Sequence, residues 1–356
     1  METLRVLVIN PGSTSTRLAI YTPSCPLFEM KLAHDHTVIT SFPSIIDQLE
    51  YRLAEIERAL DEAHADLGCI SAAVARGGLL RPVAGGTYLV NDRMLEDLRN
   101  QVQGPHASNL GGIIARAIAD RWGVPAYVVD PVSCDEFGPL ARISGLPELP
   151  RRSLSHALNI KAAVRRASRE FGLDMGSARY VVAHLGGGIS VAACQAGRII
   201  DVNNANEQGP FSPERAGGVP AAALVRLAFS GEHTKEGLTR KLAGRGGLMA
   251  YLGTADAIEV ERRIAEGDEH ARLVYEAMAY QVAKEIGAMA AVLGGDVQAV
   301  LMTGGLAHAA RLVDMIRDRV EFIAEVRVYP GEEEMEALAM GAFRVLQGEE
   351  EARIYE

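Results

Sequence analysis

The chain has 356 residues, of which 48% are apolar, so a large buried core is expected and extensive disorder is not. Its length favours two domains over one. Acidic residues outnumber basic ones by 46 to 36, and the resulting formal charge of −10 argues against nucleic acid or an anionic membrane as a partner.

The first predicted element is a glycine-rich hairpin over residues 6–20, in which two apolar strands flank a turn of small residues. A turn with so few side chains leaves backbone N–H groups exposed, and such groups bind anions such as phosphate. We therefore expect Gly12, Ser13 and Thr14 to bind phosphate. A helix over residues 43–63 follows, because leucine and isoleucine recur there at helical spacing.

Two short buried strands are predicted next, over residues 70–75 and 126–130, and they end at Arg76 and Asp130. A segment punctuated by prolines, residues 139–150, follows the second of these strands. Because proline and glycine interrupt regular structure, this segment is the predicted crossing between two domains.

A second glycine-rich hairpin over residues 181–193 repeats the pattern of the first, and when the two are overlaid Asn10 falls on His184. The glycines of the second turn, which we also expect to bind phosphate, are Gly186, Gly187 and Gly188. The duplication suggests two domains that hold a polyphosphate between them. The other predicted elements are helices over residues 110–122, 155–171, 220–229, 257–293 with a break near Gly267, 307–320 and 333–346, and strands over residues 299–302 and 326–329.

Strands that alternate with helices indicate an α/β fold with helices packed on sheets. The predicted N-terminal domain comprises residues 1–150 together with about residues 335–356, and the predicted C-terminal domain comprises residues 151–334. Neither a signal-peptide pattern nor a bilayer-length apolar stretch is present, so we expect a cytoplasmic protein without membrane contact. The four cysteines are far apart and predict buried, reduced thiols rather than a zinc site.

Ligands collect at the carboxyl ends of strands in folds of this class. The candidates at predicted strand ends are Asn10, Arg76, Asp130, His184, Gly304 and Gly305. Each of them alone also has a plain interpretation as a turn residue, a cap or a semi-buried side chain. Their combination on a duplicated fold favours function, because a single ligand would explain them all.

Three further features have two open interpretations each. Arg215 lies in a loop rich in glycine and proline, where it is either solvated or clamps a transferring phosphoryl group. His106 precedes a predicted helix, where it is either an exposed residue beside a helix cap or a substrate contact. Glu333 and Glu334 open the last helix, where acidic residues are favoured by the helix dipole alone or hold Mg²⁺.

These residues carry a family resemblance. Residues 8–16 (VINPGSTST) and 184–190 (HLGGGIS) resemble the two phosphate motifs of the acetate and butyrate kinases, the acetokinase family. The runs that resemble the butyrate kinases in particular are residues 75–83, 106–112, 141–148 and 329–332. The resemblance covers essentially the whole chain. It implies two ribonuclease H-like domains, as in sugar kinases, actin and heat-shock chaperone ATPases, with ATP–Mg²⁺ in the cleft between them and a homodimer or larger homo-oligomer.

The resemblance also implies roles for single residues. Asn10 would contact the transferring phosphoryl group or the water of the metal, and His184 would lie at the γ-phosphate. Arg215 would stabilise the transition state, Asp130 would be the active-site aspartate, and His156 would be a second cleft histidine. By motif, Gly304 and Gly305 would form the adenosine loop. Either Glu333 or Glu334 would be the metal-associated glutamate.

One departure from the family pattern concerns the acyl substrate. The arginine with which acetate kinases hold the substrate carboxylate aligns with Ala73, and Arg76 is the expected replacement. The reaction that the resemblance implies is ATP plus a short fatty acid, butyrate first, giving acyl phosphate and ADP. An acetate, propionate or branched-chain fatty acid kinase is the alternative, and an ATP-driven switch similar to actin or the chaperone ATPases is a second one.

Overall fold

The computed structural model describes residues 4–63 and 69–356 of the chain. In chain order the strands are β1 (Val6–Pro11), β2 (Ser15–Tyr21), β3 (Pro26–Ala33), β4 (Ala72–Arg76), β5 (Thr87–Leu89), β6 (Ala126–Val129), β7 (Arg179–Leu185), β8 (Ile189–Gln195), β9 (Arg198–Val202), β10 (Ala299–Gly304), β11 (Glu325–Pro330) and β12 (Arg353–Ile354).

In chain order the α-helices are α1 (His36–Ser41), α2 (Leu49–Glu62), α3 (Asp92–Arg99), α4 (Asn109–Trp122), α5 (Ala157–Phe171), α6 (Ala221–Ala228), α7 (Lys235–Leu242), α8 (Gly247–Leu252), α9 (Ala257–Ala265), α10 (Glu269–Val292), α11 (Ala310–Val320) and α12 (Glu334–Leu346). The predicted helix break near Gly267 is confirmed, because that residue has a φ of +95° and separates α9 from α10. The helix predicted from residue 43 is shorter at its start and begins at Leu49, after a 3₁₀ turn.

The chain divides into two compact units. Unit 1 comprises Met1–Cys134 and Glu333–Glu356, and unit 2 comprises Asp135–Glu332. The last helix, α12, thus belongs with the N-terminal part of the chain. Each unit has its own sheet and its own apolar core, so the predicted α/β class is confirmed.

The chain passes into unit 2 ahead of the proline-punctuated segment, residues 139–150, in which the crossing was expected. The residues that flank that segment make polar contacts with β9. The Gly138 N–H donates to the carbonyl of Ile200 at 3.3 Å, and Arg151 forms a two-pronged pair with Asp201 at 2.8 and 3.2 Å. Prolines therefore mark an irregular loop of unit 2 here and not the boundary between the units.

The sheet of unit 1 has the strand order β12-β5-β6-β4-β1-β2-β3 within the described residues. The hairpin β1–β2 is antiparallel, whereas β1, β4 and β6 are parallel neighbours. Their carboxyl ends consequently meet at one edge of the sheet. Apolar side chains of these strands, such as Leu7 and Ile9, pack with Ile56 of α2 and Ile114 of α4 in the core.

The sheet of unit 2 repeats this arrangement with the order β11-β10-β7-β8-β9 in the described part of the chain. The hairpin β7–β8 is antiparallel, and β10 lies parallel to β7 on one side and to β11 on the other. Val181 and Val191 of the hairpin pack with Met278 and Val282 of α10, which is the longest helix of this unit's described residues. The second hairpin is therefore the topological counterpart of the first.

The cysteines are all free. Cys134 and Cys194 are buried, whereas Cys25 and Cys69 are exposed, so the expectation of burial is wrong for those two. Cys25 is exposed because it lies in the turn between β2 and β3. Within residues 4–63 and 69–356, no helix combines the length and the apolar character that crossing a bilayer would require.

Candidate active site

Three of the predicted site residues lie at one edge of the sheet of unit 1. Asn10 is near the end of β1, Arg76 ends β4, and Asp130 directly follows β6. The strand register pairs Ile9 with Ala75 and Arg76 with Val129, which brings the three polar positions to neighbouring strand ends.

The carboxylate of Glu334 joins two of these side chains. Glu334 is buried in the first turn of α12, where its Oε2 accepts a hydrogen bond from Asn10 Nδ2 at 2.7 Å. Its Oε1 lies 2.9 Å from Nη1 of Arg76. Glu333 occupies the exposed N-cap position one residue earlier, so of the two glutamates it is Glu334 that lies among the polar strand ends. The guanidinium of Arg76, three-quarters buried, is thereby held in a fixed orientation.

Asp130 is buried and is bound to the backbone of a neighbouring loop. Its Oδ1 accepts a hydrogen bond from the Gly86 N–H at 2.7 Å, and its own N–H donates to the Gly86 carbonyl at 3.0 Å. The φ of Asp130 is +39°, a left-handed conformation that side-chain-bearing residues adopt rarely and that often marks functional sites.

The turn of the first hairpin is supported by an arginine that the sequence analysis missed. Arg52 of α2 is buried, and it donates from Nη1 to the Gly12 carbonyl at 2.8 Å and from Nη2 to the Ser13 carbonyl at 3.0 Å. Burial lowers the pKa of Arg52. The signal was present in the sequence, since this arginine interrupts the apolar stripe of α2 at helical spacing.

His106 lies in the exposed loop ahead of α4, with its Nδ1 at 2.6 Å from the hydroxyl of Ser108. Asn109, the first residue of α4, is buried beside this loop. Its Oδ1 accepts a hydrogen bond from the Leu79 N–H at 2.7 Å, and its Nδ2 donates to the Gly104 carbonyl at 3.0 Å. Asn109 therefore connects the loop that follows Arg76 to the loop that contains His106.

In unit 2, two predicted histidines form a stacked pair. His184 is fully buried near the end of β7, and its ring lies 4.0 Å from the ring of His156 at an angle of 18°. The Nδ1 of His156 is 2.9 Å from the hydroxyl of Ser190, which fixes that ring. The Nε2 of His184 lies 3.7 Å from a carboxylate oxygen of Glu332, a half-exposed residue that was not among the predicted site residues. Its signal was its place in the run of residues 329–332.

Arg215 lies against the turn of the second hairpin. A Cβ atom added at Gly188 would come within 2.3 Å of Nη1 of Arg215, so only glycine leaves room for the guanidinium. The Ser212 hydroxyl accepts from the Arg215 N–H at 3.2 Å and donates to the Gly187 carbonyl at 2.6 Å. Burial lowers the pKa of Arg215. The described residues offer its guanidinium neither a hydrogen bond nor an ion pair, so this cation can bind an anionic ligand.

The predicted adenosine glycines lie at the end of β10. Gly304 has a φ of +95° and exchanges two backbone hydrogen bonds of 3.0 Å with Gly331. A Cβ at this position would lie 2.3 Å from the carbonyl oxygen of Leu185, which ends β7. Gly304 thus allows β10 to approach the second hairpin closely, while Gly305 starts a 3₁₀ turn in open space.

Comparisons with known proteins agree with these observations. The profile of the Acetokinase family matches residues 151–338. A relative described as probable butyrate kinase 2, from Caldanaerobacter subterraneus subsp. tengcongensis, is 55% identical over 351 residues that cover 99% of each chain.

Solved structures with the same fold include an acetate kinase from Porphyromonas gingivalis, which has a TM-score of 0.77 at 20% identity and covers 96% of this chain and 100% of its own. A propionate kinase from Francisella tularensis subsp. tularensis SCHU S4 has a TM-score of 0.76 at 19% identity, with coverage of 94% and 98%. These likenesses confirm the predicted fold class, the duplicated α/β fold of the actin-like ATPases.

Proposed function

The chain belongs to the acetokinase family, and from this premise we propose that it is a butyrate kinase, which transfers the terminal phosphoryl group of ATP to the carboxylate of butyrate. The observation that carries the proposal is the 55% identity, over 99% of both chains, to a relative described as a probable butyrate kinase. The products are butanoyl phosphate and ADP.

The choice of acyl substrate is supported by the arginine at the end of β4. Ala73, where the acetate kinases have their carboxylate-binding arginine, is fully buried near the start of that strand. Arg76 lies at the strand end, and Glu334 orients its guanidinium. We assign to Arg76 the binding of the butyrate carboxylate, and to His106 and His156 the predicted contacts with the acyl substrate.

The reaction needs no general base. A carboxylic acid is already ionised at neutral pH, so the nucleophile requires no proton removal. Asp130 accepts a hydrogen bond from the Gly86 N–H, which fits an orienting role better than proton transfer. The main obstacle is repulsion, because an anionic carboxylate must approach an anionic phosphate chain.

Positively polarised groups would offset this repulsion. We assign transition-state stabilisation to Arg215, whose guanidinium lies against Gly188 and makes no hydrogen bond or ion pair within residues 4–63 and 69–356. The backbone N–H groups of the two hairpin turns would bind phosphate oxygens, as predicted for each turn. His184 would contact the γ-phosphate, and Gly304 with Gly305 would bind the adenosine.

The residues of unit 1 fit a Mg²⁺ ion that is held chiefly by the nucleotide. Among the residues that the structure describes, no group of three or more His, Cys, Asp and Glu side chains is placed to hold a metal. Both oxygens of Glu334 already contact Asn10 and Arg76. Because Mg²⁺ keeps several waters when phosphates supply its other ligands, Glu334 and Asn10 would bind its water shell, with Glu333 the weaker candidate. When bound, the ion neutralises part of the phosphate charge.

A hydroxamate assay tests the proposal. The protein is incubated with ATP, Mg²⁺ and hydroxylamine in parallel reactions with acetate, propionate, butyrate, isobutyrate and valerate. We expect acyl hydroxamate to form fastest with butyrate. A maximum at acetate, propionate or isobutyrate would assign one of the alternative acyl substrates, and ATP hydrolysis that is indifferent to every acid would favour a nucleotide-driven switch. The cytoplasmic location, the cleft between two domains and the homo-oligomeric state stay predictions.

A further inference from the structure

Three consecutive carbonyl groups in the turn of the first hairpin accept hydrogen bonds from other parts of unit 1. Arg52 donates from Nη1 to the Gly12 carbonyl at 2.8 Å and from Nη2 to the Ser13 carbonyl at 3.0 Å. The backbone N–H of His34 donates to the Thr14 carbonyl at 2.9 Å. The direction of each peptide unit in the turn is thereby fixed.

The directions of the carbonyls determine those of the N–H groups. A trans peptide unit is planar, and its C=O and N–H point in opposite directions. The Gly12 carbonyl shares its peptide unit with the Ser13 N–H, and the Ser13 carbonyl shares its unit with the Thr14 N–H. Both N–H groups therefore point away from Arg52, and neither donates a hydrogen bond within residues 4–63 and 69–356.

Arg52 is itself held firmly. It is 1% exposed, its Nε donates to Oε1 of Gln48 at 3.0 Å, and Nη1 lies 3.5 Å from the hydroxyl of Thr16. That hydroxyl is also 2.8 Å from Nε2 of His34. In the described part of the chain no carboxylate forms an ion pair with Arg52. Burying a cation without a neighbouring carboxylate costs free energy, because no negative charge neutralises it. The positive charge of Arg52 is therefore available to attract an anion on the other side of the turn.

We propose that Arg52 is a positioning residue for the phosphate chain of ATP: it holds two carbonyls of the first hairpin so that the Ser13 and Thr14 N–H groups point at phosphate oxygens. The inference rests on the proposed use of ATP and adds a residue that does not touch the nucleotide. A charged donor also polarises the two peptide units, which strengthens their N–H groups as donors.

Nucleotide binding without any acyl acceptor tests this role. The dissociation constants of the non-hydrolysable ATP analogue adenylyl imidodiphosphate with Mg²⁺, and of adenosine, are measured by calorimetry for the wild type, Arg52→Lys and Arg52→Met. Lysine keeps the positive charge, but its single ammonium group cannot replace the planar guanidinium that donates to both carbonyls at once. We expect the analogue to bind about tenfold more weakly to Arg52→Lys, and more weakly still to Arg52→Met, since hydrogen bonds to charged groups are lost. Adenosine, which has no phosphate, should bind within twofold of wild type.

Arg58→Met is the matched control, because Arg58 lies on the same helix, is exposed, and pairs only with Glu55 and Glu62 among its described neighbours. It should bind the analogue as the wild type does. If folded Arg52→Lys binds the analogue within twofold of wild type, or loses analogue and adenosine equally, the positioning role is wrong.

Should both substitutions at Arg52 prevent folding, Gln48→Met decides the question. It removes the acceptor of the Arg52 Nε–H and leaves the turn itself unaltered. We expect the analogue to bind this variant about threefold more weakly, with adenosine unchanged, and unchanged binding of both would overturn the inference. Failure of the hydroxamate assay would refute the acyl substrate but leave this binding experiment valid, whereas a wild type that does not bind the analogue would refute both.

Discussion

Replacing Arg215 with alanine should lower kcat far more than it raises the KM for ATP. The guanidinium is held against Gly188, its backbone is fixed through Ser212, and burial lowers its pKa by withdrawing it from water. A preorganised donor in such a setting typically contributes about 10²–10³ in rate, or roughly 3–4 kcal/mol of transition-state stabilisation. Because the charge on the transferring group is greatest in the transition state, we expect kcat to fall by about this factor and the KM for ATP to rise less than about fivefold.

Initial rates of ADP release with saturating butyrate measure both constants. Arg215→Lys should lie between alanine and wild type, because one ammonium group cannot make the two-pronged contact of a guanidinium. Arg240→Ala removes an exposed arginine from α7 of the same unit and should leave both constants unchanged. A kcat of Arg215→Ala within a few-fold of wild type, with an unaltered melting temperature, would refute the assigned role.

Three other substitutions have expected outcomes. Gly188→Ala should displace the guanidinium of Arg215 and lower kcat at least about tenfold with little change in melting temperature, as initial rates and thermal unfolding would show. Arg76→Gln should raise the KM for butyrate about tenfold or more and that for ATP by less than about threefold, in the same rate assay. Burial lowers the pKa of His34 from 6.5 to about 4, so the unfolded chain binds the extra proton and the wild type loses stability as the pH falls from about 6.5 to 4. Urea unfolding at pH 7 and pH 4 measures how much of the free energy of unfolding is lost on acidification. This loss should be about 2–3 kcal/mol smaller for His34→Gln than for the wild type, and equal losses would contradict the prediction.

The duplicated hairpins and the polar strand ends could be predicted because their signals are local. An apolar run, a turn of small residues and a second apolar run are adjacent in sequence, so Asn10 and His184 were identified without knowledge of distant contacts. Parallel strands then bring their carboxyl ends together as a matter of topology, which places Arg76 and Asp130 beside Asn10.

The choice between Glu333 and Glu334 could not be made from sequence. Successive residues of a helix point about 100° apart, so the orientation of α12 on the sheet decides which carboxylate meets Asn10 and Arg76. That orientation depends on the packing of apolar side chains contributed by segments more than 200 residues apart. Arg52 was missed for a similar reason, since an arginine within an apolar stripe is evident but the carbonyls that it binds are not.

In both hairpin turns a side-chain donor binds a backbone carbonyl and thereby orients the peptide unit, but the donor differs between the two turns. In the second turn the Ser212 hydroxyl donates to the Gly187 carbonyl at 2.6 Å. The Gly188 N–H belongs to the same peptide unit and therefore points in the opposite direction. Arg52 fixes the direction of the peptide units in the first turn in the same way. A neutral hydroxyl suffices in unit 2, which leaves Arg215 free of carbonyl bonds and able to meet a ligand. In unit 1 the guanidinium of Arg52 already donates to two carbonyls of the turn. The difference in hydrogen bonding therefore separates the roles of the two arginines: Arg215 can contact a phosphoryl group, whereas Arg52 does not touch one and acts through the turn that it holds and through its charge.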